Sequence, residues 1–275
     1  MRKISGVMVV YNEEKLIETA IKSIIPIVSE LIIVHDGTCK DSTIKICSKY
    51  TDQIFIRKHI GEAEPHRPFT YKMAKNDLIL QIDADESLSN KGIKLIDIMR
   101  RNNTFSFLTL NWINIYKGKK KYLGRKMLIF DKSKYYFIGI PHEWPKLLSN
   151  ENEIKIHLNQ PLYNSPNYDN SSVSTFLTKW VKWKNIHAKY LTDNFSSIEK
   201  YNYDKECLDF PNKYLVSYPI LFGVPYTLSL ELFRLAWSLV NGIHTIKSSL
   251  FMTMYRLLLI VEIFRLKNNP NYRQR

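Results

Sequence analysis

Apolar runs, and the polar residues that stop them, divide the first third of the chain into alternating strands and helices. Ile4 to Val10 is a β-branched run of strand length, broken by Tyr11 and Asn12. From Glu13 to Ile24 the apolar positions Leu16, Ile17, Ala20, Ile21 and Ile24 share one helical face. Glu13 and Glu14 fall in the first turn, where the helix dipole favours acids. Leu31 to Val34 predicts a second strand, closed by His35, Asp36 and Gly37, and Asp41 can cap a helix running to Tyr50. Gln53 to Arg57 predicts a short third strand, and a short helix around Tyr71 to Lys75 leads into Leu78 to Ile82. That last apolar run stops at Asp83, Asp85 and Glu86. Strands alternating with helices predict a parallel sheet with right-handed crossovers. A strand buried on both faces cannot retain unpaired acids, so the acids emerge at its C-terminal end, the edge where open α/β sheets bind ligands. Tyr11-Asn12-Glu13, Asp36 and Asp83-Ala84-Asp85 are then three polar clusters on one edge. Each alone reads better as an ordinary turn or loop, and it is the set of three that points to a site.

The pattern changes further along. Leu88 to Arg101 predicts an amphipathic helix and Phe105 to Ile115 a long strand. A cationic stretch follows, from Lys117 to Lys134 with Asp131 as its one acid. The plain reading is a solvated loop; the sharper one is contact with an anionic acceptor or membrane. Ser171 or Ser172 can cap a helix that aligns Val173, Phe176, Leu177, Trp180 and Val181. From Lys213 to Arg275 there are eight basic residues and two acids, with helices predicted around Leu228 to Val240 and Ile246 to Leu266. Pro219, Gly223 and Pro225 break the uncharged run Tyr214 to Leu230, and Arg256 and Glu262 interrupt Ser248 to Leu266, so no spanning helix is expected. These helices read either as a cap over the sheet or as an interfacial attachment.

Length and charge narrow the picture. A chain of 275 residues holds one large domain, or a domain with an appendage. A net charge of +14 points to an anionic partner: nucleic acid, lipid headgroups or a phosphorylated substrate. The basic stretch lacks interleaved aromatic stacking platforms, which argues against nucleic acid. Cys39, Cys47 and Cys207 have no metal-ligand spacing and fit reduced thiols in a cytoplasmic setting. Ile4 to Val10 is too short for a signal peptide, and none is expected.

Alternate acids such as Asp83 and Asp85 can bring hard oxygen ligands near one point, as Mg²⁺ or Mn²⁺ requires. Taken in order, Val9-Val10-Tyr11-Asn12-Glu13-Glu14, Asp36-Gly37-Thr38-Cys39-Lys40-Asp41-Ser42-Thr43 and Ile82-Asp83-Ala84-Asp85-Glu86 resemble the inverting glycosyltransferases of family 2. The likeness is strongest over residues 1–90, thins to about 190, and within the family is nearest the lipopolysaccharide-core glucosyltransferase group. It implies an α/β GT-A fold: a Rossmann-like, mostly parallel sheet flanked by helices, here with a C-terminal helical extension. The expected divisions are 1–104 for the nucleotide-sugar half, 105–170 for the acceptor and catalytic half, and 171–275 for the extension. The resemblance implies that Tyr11, Asn12, Glu13 and Asp36 hold the nucleotide base and ribose. Arg67, followed here by Pro68 rather than asparagine, approaches the donor. Asp83 lies near ribose and metal, and Asp85 is the principal ligand of a divalent cation. Such a cation stabilises charge on a departing diphosphate.

Inverting transfer also needs a base for the acceptor hydroxyl. The resembled group carries a His-Glu pair after a basic-apolar strand, and here Arg125 to Phe130 precedes His142-Glu143. Glu143 is therefore assigned as base, with His142, Trp144 and Trp112 at the acceptor. The group often has a histidine about twenty residues beyond that pair. Asn164 stands there in this chain, with His157 earlier, so either Asp85 and phosphates hold the metal alone or His157 takes part. The expected function is a metal-dependent inverting hexose transfer. The donor is a nucleotide-diphosphate sugar, UDP-linked in preference to GDP- or dTDP-linked. The acceptor is a saccharide or lipid-linked glycan at the inner face of the cell membrane, next to anionic lipid. The alternatives are a nucleotide-sugar binder or scaffold without turnover and, on charge alone, a nucleic-acid-binding protein.

Overall fold

The computed structural model describes residues 1–102, 105–140, 143–148, 151–169, 172–192, 199–203, 215, 217–241 and 244–269. The chain divides into two units, Met1–Tyr168 with Glu199–Tyr203, and Asp169–Ile198 with Asp204–Arg275.

The first unit is built on an eight-stranded sheet. Its strands are β1 (Ile4–Val10), β2 (Glu30–Asp36), β3 (Ile54–Arg57), β4 (Leu78–Gln81), β5 (Glu86–Leu88), β6 (Phe107–Tyr116), β7 (Lys119–Asp131) and β10 (Lys155–Asn164). Their order is β3-β2-β1-β4-β7-β6-β10-β5. The β1–β2, β1–β4, β2–β3 and β6–β10 pairs are parallel, while β7 runs antiparallel to both β4 and β6, and β5 antiparallel to β10. Two short strands, β8 (Tyr135–Tyr136) and β9 (Lys146–Leu147), form a separate ribbon.

Both faces of the β1–β2–β4 region are buried, which is why these strands read as continuous apolar runs. Ile4, Met8, Val10, Leu31, Ile33, Leu78 and Leu80 join the core that holds Ile17, Ala20, Ile21 and Ile24 of α1 (Ile17–Ile24) and Ile96 of α4 (Asn90–Arg101). The alternate positions Val7, Ile32 and Ile79 pack on the other face with Tyr71 and Ala74, at the end of α3 (Arg67–Met73). Each fully buried Ile or Leu stabilises the layer by about 1.5–3 kcal/mol.

Several boundaries differ from expectation. Helix α1 begins at Ile17, not Glu13: the Glu13 and Glu14 amides are taken by Thr43 Oγ1 at 2.6 Å and Asp41 Oδ2 at 3.1 Å, which holds residues 13–16 in a turn. Helix α2 is only Thr43–Cys47, with the Thr43 amide donating to Asp41 Oδ1 at 2.9 Å. Leu88 ends β5 rather than starting a helix, and α4 begins at Asn90 after Ser89, whose hydroxyl accepts from the Gly92 amide. The cationic stretch is not a loop. Residues 119–131 form β7, exposed over its lysine-rich first half and buried from Lys126 onward.

The second unit is helical: a turn at Val173–Thr175, a π-helical stretch at Phe176–Trp180, α5 (Val181–Thr192), a π-helical turn at Pro219–Gly223, α6 (Val224–Asn241) and α7 (His244–Asn268). Ser172 caps the first turn, accepting from the Thr175 amide at 3.0 Å. Both long helices exceed the predicted spans. Pro225 falls in the first turn of α6, where its missing N–H costs nothing. Lys184 of α5 and Glu262 of α7, both buried, pair at 3.0 Å. Among the described residues no helix is long and apolar enough to cross a membrane.

Candidate active site

Because β1, β2 and β4 are parallel, the segments that follow them meet on one edge of the sheet. Asn12 has φ 53°, a left-handed turn that asparagine tolerates better than most residues. Its amide donates to His35 Nε2 at 3.3 Å, and its side-chain oxygen accepts from the Lys40 amide at 2.8 Å. Glu14 closes the joint by accepting from the Ser42 amide at 3.0 Å. The first two sequence clusters are thus one interlocked structure. Tyr11, 40% exposed, stands over His59 with ring centroids 4.7 Å apart and near His35 at 5.9 Å. That makes an accessible aromatic platform at the sheet edge.

Asp36 is buried. Its Oδ1 accepts from the Ile60 amide at 2.6 Å and faces His66 Nε2 at 2.9 Å, while Oδ2 accepts from the Gly61 amide at 2.7 Å and faces His59 at 3.1 Å. A carboxylate offers about four lone-pair directions, so Asp36 can touch a donor only by displacing one of these partners. Against its burial, His66 and the two amides hold this carboxyl below the usual carboxylate range. Gly37, at φ 89°, is fixed by the same packing: a Cβ there would lie 2.7 Å from His59 Cβ.

The third cluster is organised by a residue the sequence reading left within the cationic stretch. Lys126 is buried, and its Nζ lies 2.7 Å from Asp83 Oδ2 and 2.5 Å from Glu86 Oε1. Arg67, the first residue of α3 with Pro68 in the opening turn, reaches Asp83 Oδ1 at 3.2 Å and Glu64 at 3.5 Å. Burial opposes charge on Asp83, but Lys126 and Arg67 outweigh it and hold the carboxyl well below its ordinary value. Glu86 is pushed up by burial and by its neighbours Asp83 and Asp85. The Lys126 ammonium also sits 5.1 Å from the Trp112 ring and 5.9 Å from the Trp144 ring, so the two expected acceptor tryptophans flank the acid cluster.

Asp85 is half-buried, and burial together with the charge of Asp83 pushes its carboxyl up to about 6. Its backbone oxygen accepts from the Ser165 amide at 2.7 Å. Buried Asn164 sets its side-chain amide 2.9 and 3.2 Å from the two Asp85 carboxylate oxygens, and donates to both when the amide nitrogen is the atom on that side. His157 is elsewhere: it bonds Thr109 Oγ1 at 3.1 Å, seven positions back along β10 and so roughly 20 Å from Asn164. Burial and the charges of Asp85, Glu13, Glu62 and Asp83 raise the Tyr168 phenol. The donor set is all oxygen and suits Mg²⁺ or Mn²⁺. Among the described residues no group of three His, Cys, Asp or Glu side chains is arranged to hold a metal. A cation at Asp85 would therefore need its remaining ligands from oxygens outside these side chains.

Glu143 lies next to Trp144 and pairs with Lys146 Nζ at 3.0 Å. His142, expected at the acceptor, lies outside the described residues. Lys126, Glu86 and Tyr168 are the site residues sequence reasoning missed. The one available signal was the position of Lys126, which begins the apolar half of its strand.

The family model for glycosyl transferase family 2 matches residues 5–151, more than half of the 275. The chain belongs to glycosyl transferase family 2. An uncharacterized glycosyltransferase of Rickettsia typhi is 30% identical over 124 residues, 44% of this chain and 42% of that one. A second, of Rickettsia bellii, is 36% identical over 90 residues, 33% of this chain and 30% of that one. The matched stretches span less than half the length of these curated relatives. Among solved structures, TarS 1-349 of S. aureus in complex with UDP-GlcNAc is 13% identical, covering 94% of this chain and 90% of that one at a TM-score of 0.46. Glucosyl-3-phosphoglycerate synthase of Mycobacterium tuberculosis with Mg²⁺ and UDP is 19% identical, covering 40% and 44% at 0.33. The mixed sheet flanked by helices is the GT-A-like arrangement this family membership carries.

Proposed function

We propose that the protein is a metal-dependent inverting glycosyltransferase that moves a hexose from a nucleotide-diphosphate sugar, UDP-linked in preference, to a saccharide or lipid-linked envelope acceptor. The lipopolysaccharide-core glucosyltransferase group is the subclass we favour, and the inner face of the cell membrane the place of action. The observation that carries the reading is the charge arrangement at the C-terminal end of β4. Two buried cations, Arg67 and Lys126, brace Asp83, and Asp85 stands beside them with Asn164 fixing its carboxylate. A site of this kind binds an anion and a cation together, as a sugar diphosphate with its metal requires.

In this reading Tyr11 stacks on the base, and Asn12 and Glu13 line the ribose. Asp36 sets the shape of the loop through residues 59–66. Arg67 faces the diphosphate. Asp83 is held ionised by Arg67 and Lys126 and orients the ribose side of the metal site. Asp85 is the principal ligand of the cation, with Asn164 keeping both its oxygens aligned. A divalent cation, when bound, supplies positive charge to the departing diphosphate. Glu143 takes the proton from the acceptor hydroxyl as that oxygen forms its bond to the anomeric carbon, and the bond from that carbon to the phosphate oxygen breaks on the opposite side. Trp144 and Trp112 give the acceptor and the transferred sugar apolar faces. Residues 1–104 form the donor half, 105–170 the acceptor half and 171–275 the extension.

The test is a thermal-shift panel of UDP, GDP and dTDP with and without Mn²⁺. A ligand that binds the native state raises its melting point. UDP with Mn²⁺ should raise it most, and a panel with no nucleotide response would overturn the reading.

A further inference from the structure

The second unit buries an apolar core, with Ala188, Leu191, Leu259, Ile260 and Ile263 among its members, and also leaves many large apolar side chains exposed. Along α6 and the turn before it, Leu221, Pro225, Leu228, Leu232 and Phe233 are exposed and recur at helical spacing. Leu221 is 80% exposed and Leu232 69%. The buried positions of the same stretch are Gly223, Thr227 and Glu231. Helix α7 is apolar on both sides: Tyr255, Leu259, Ile260, Ile263 and Leu266 are buried with Glu262, which pairs with Lys184, and Leu250, Met254, Val261 and Phe264 are exposed. A helix whose outer face meets water carries polar and charged residues on that face.

Charge is also sorted. Residues 213–275 contain two acids, Glu231 and Glu262, and both are buried. Arg265 and Lys267, in the last turn of α7, are exposed. This surface therefore presents leucines, phenylalanines and positive charge, with its negative charge hidden. Exposed large apolar side chains in this number mark an interaction site. The absence of exposed acid on the described parts of α6 and α7 selects an anionic partner, and a broad surface of aliphatic chains rimmed by cations matches the boundary of a bilayer.

We infer that the exposed faces of α6 and α7 are a membrane-interfacial surface, lying in the headgroup region of an anionic bilayer with Arg265 and Lys267 toward the phosphates. The inference goes with the membrane-face location proposed above, yet it rests on the exposed apolar residues and the burial of both acids, not on the transferase chemistry.

The full chain is sedimented with vesicles of phosphatidylcholine containing about one third phosphatidylglycerol, and with vesicles of phosphatidylcholine alone, while UDP binding with Mn²⁺ is measured on the same samples. The protein should pellet with the anionic vesicles and less with the neutral ones, and high salt should weaken the association without abolishing it. The double substitution Leu228→Ser and Leu232→Ser should lower the partition coefficient at least about tenfold and leave nucleotide binding unchanged. Leu221→Ser is the milder variant should the pair lose its thermal transition. Ile98→Ser, an exposed apolar position on α4, should change nothing. Arg265→Gln with Lys267→Gln should reduce the preference for anionic vesicles severalfold. Equal binding to both vesicle types, binding to neither, or a dimer in solution that Leu232→Ser converts to monomer without any vesicle binding would each overturn the inference. Vesicle binding that survives in a protein unable to bind any nucleotide would support it and would count against the transferase reading alone.

Discussion

Replacing Lys126 with methionine isolates the interaction that organises the acid cluster. Methionine keeps most of the volume and removes the charge. Glu86, buried beside Asp83 and Asp85, loses the ammonium at 2.5 Å. Asp83 loses one of its two cations but keeps Arg67 at 3.2 Å. Removing one partner of a buried pair costs about 3–5 kcal/mol, because the surviving charge is left uncompensated. At about 2–4 °C per kcal/mol for a chain of this size, the melting temperature should fall by about 6–20 °C. Scanning calorimetry reads the shift directly. The double substitution Lys126→Met with Glu86→Gln should recover at least half of it, because the orphaned charge is then gone while Asp83 retains Arg67. A single variant within about 1 kcal/mol of the parent would refute the reasoning, as would a double variant less stable than the single.

Two further substitutions probe the chemistry and the scaffold. Glu143→Gln should leave UDP binding nearly intact and lower turnover by about two to four orders of magnitude, read in a sugar-transfer assay; a near-parental rate would assign the base elsewhere. Asp36 has a folded-state carboxyl below its unfolded value, so the stability it contributes is fully present above about pH 4 and is lost as pH falls through the lower folded value. Asp36→Asn should therefore destabilise by about 2–4 kcal/mol at neutral pH, with the gap from the parent closing below about pH 4 in acid-unfolding curves. A gap independent of pH would mean that the carboxylate charge is not what holds the loop.

Much of the donor side was legible because local signals decide it. The β-branched runs of β1, β2 and β4 are buried on both faces, and a strand of that kind announces itself without reference to its neighbours. The polar residues at their ends share an edge simply because the strands are parallel. What was not legible depends on pairing between distant segments. Nothing local shows that residues 119–131 insert between β4 and β6, yet that insertion carries Lys126 into contact with Asp83, 43 positions earlier. Without the register, a lysine in a basic run looks like all the others. The late start of α1 has a similar cause: Thr43 and Asp41, from the next loop, take the amides that a helix starting at Glu13 would have left to water. Asn164 was noticed only as a missing histidine; the β5–β10 pairing, which sets it opposite Glu86 and beside Asp85, gives it a position. The exposed apolar residues of α6 and α7 were visible as composition but not as orientation, because an apolar residue in a helix looks the same whether it faces core or surface.

The central claim is that the strand-end acids form a metal-dependent nucleotide site with Asp85 as its main ligand. Calorimetric titration of UDP into the full chain, with and without Mn²⁺, for the parent and for Asp85→Asn, tests it most directly. The parent should bind UDP far more tightly with Mn²⁺ than without, and Asp85→Asn, with its fold preserved, should show no Mn²⁺-dependent gain. Unchanged Mn²⁺-dependent binding in that variant would contradict the account.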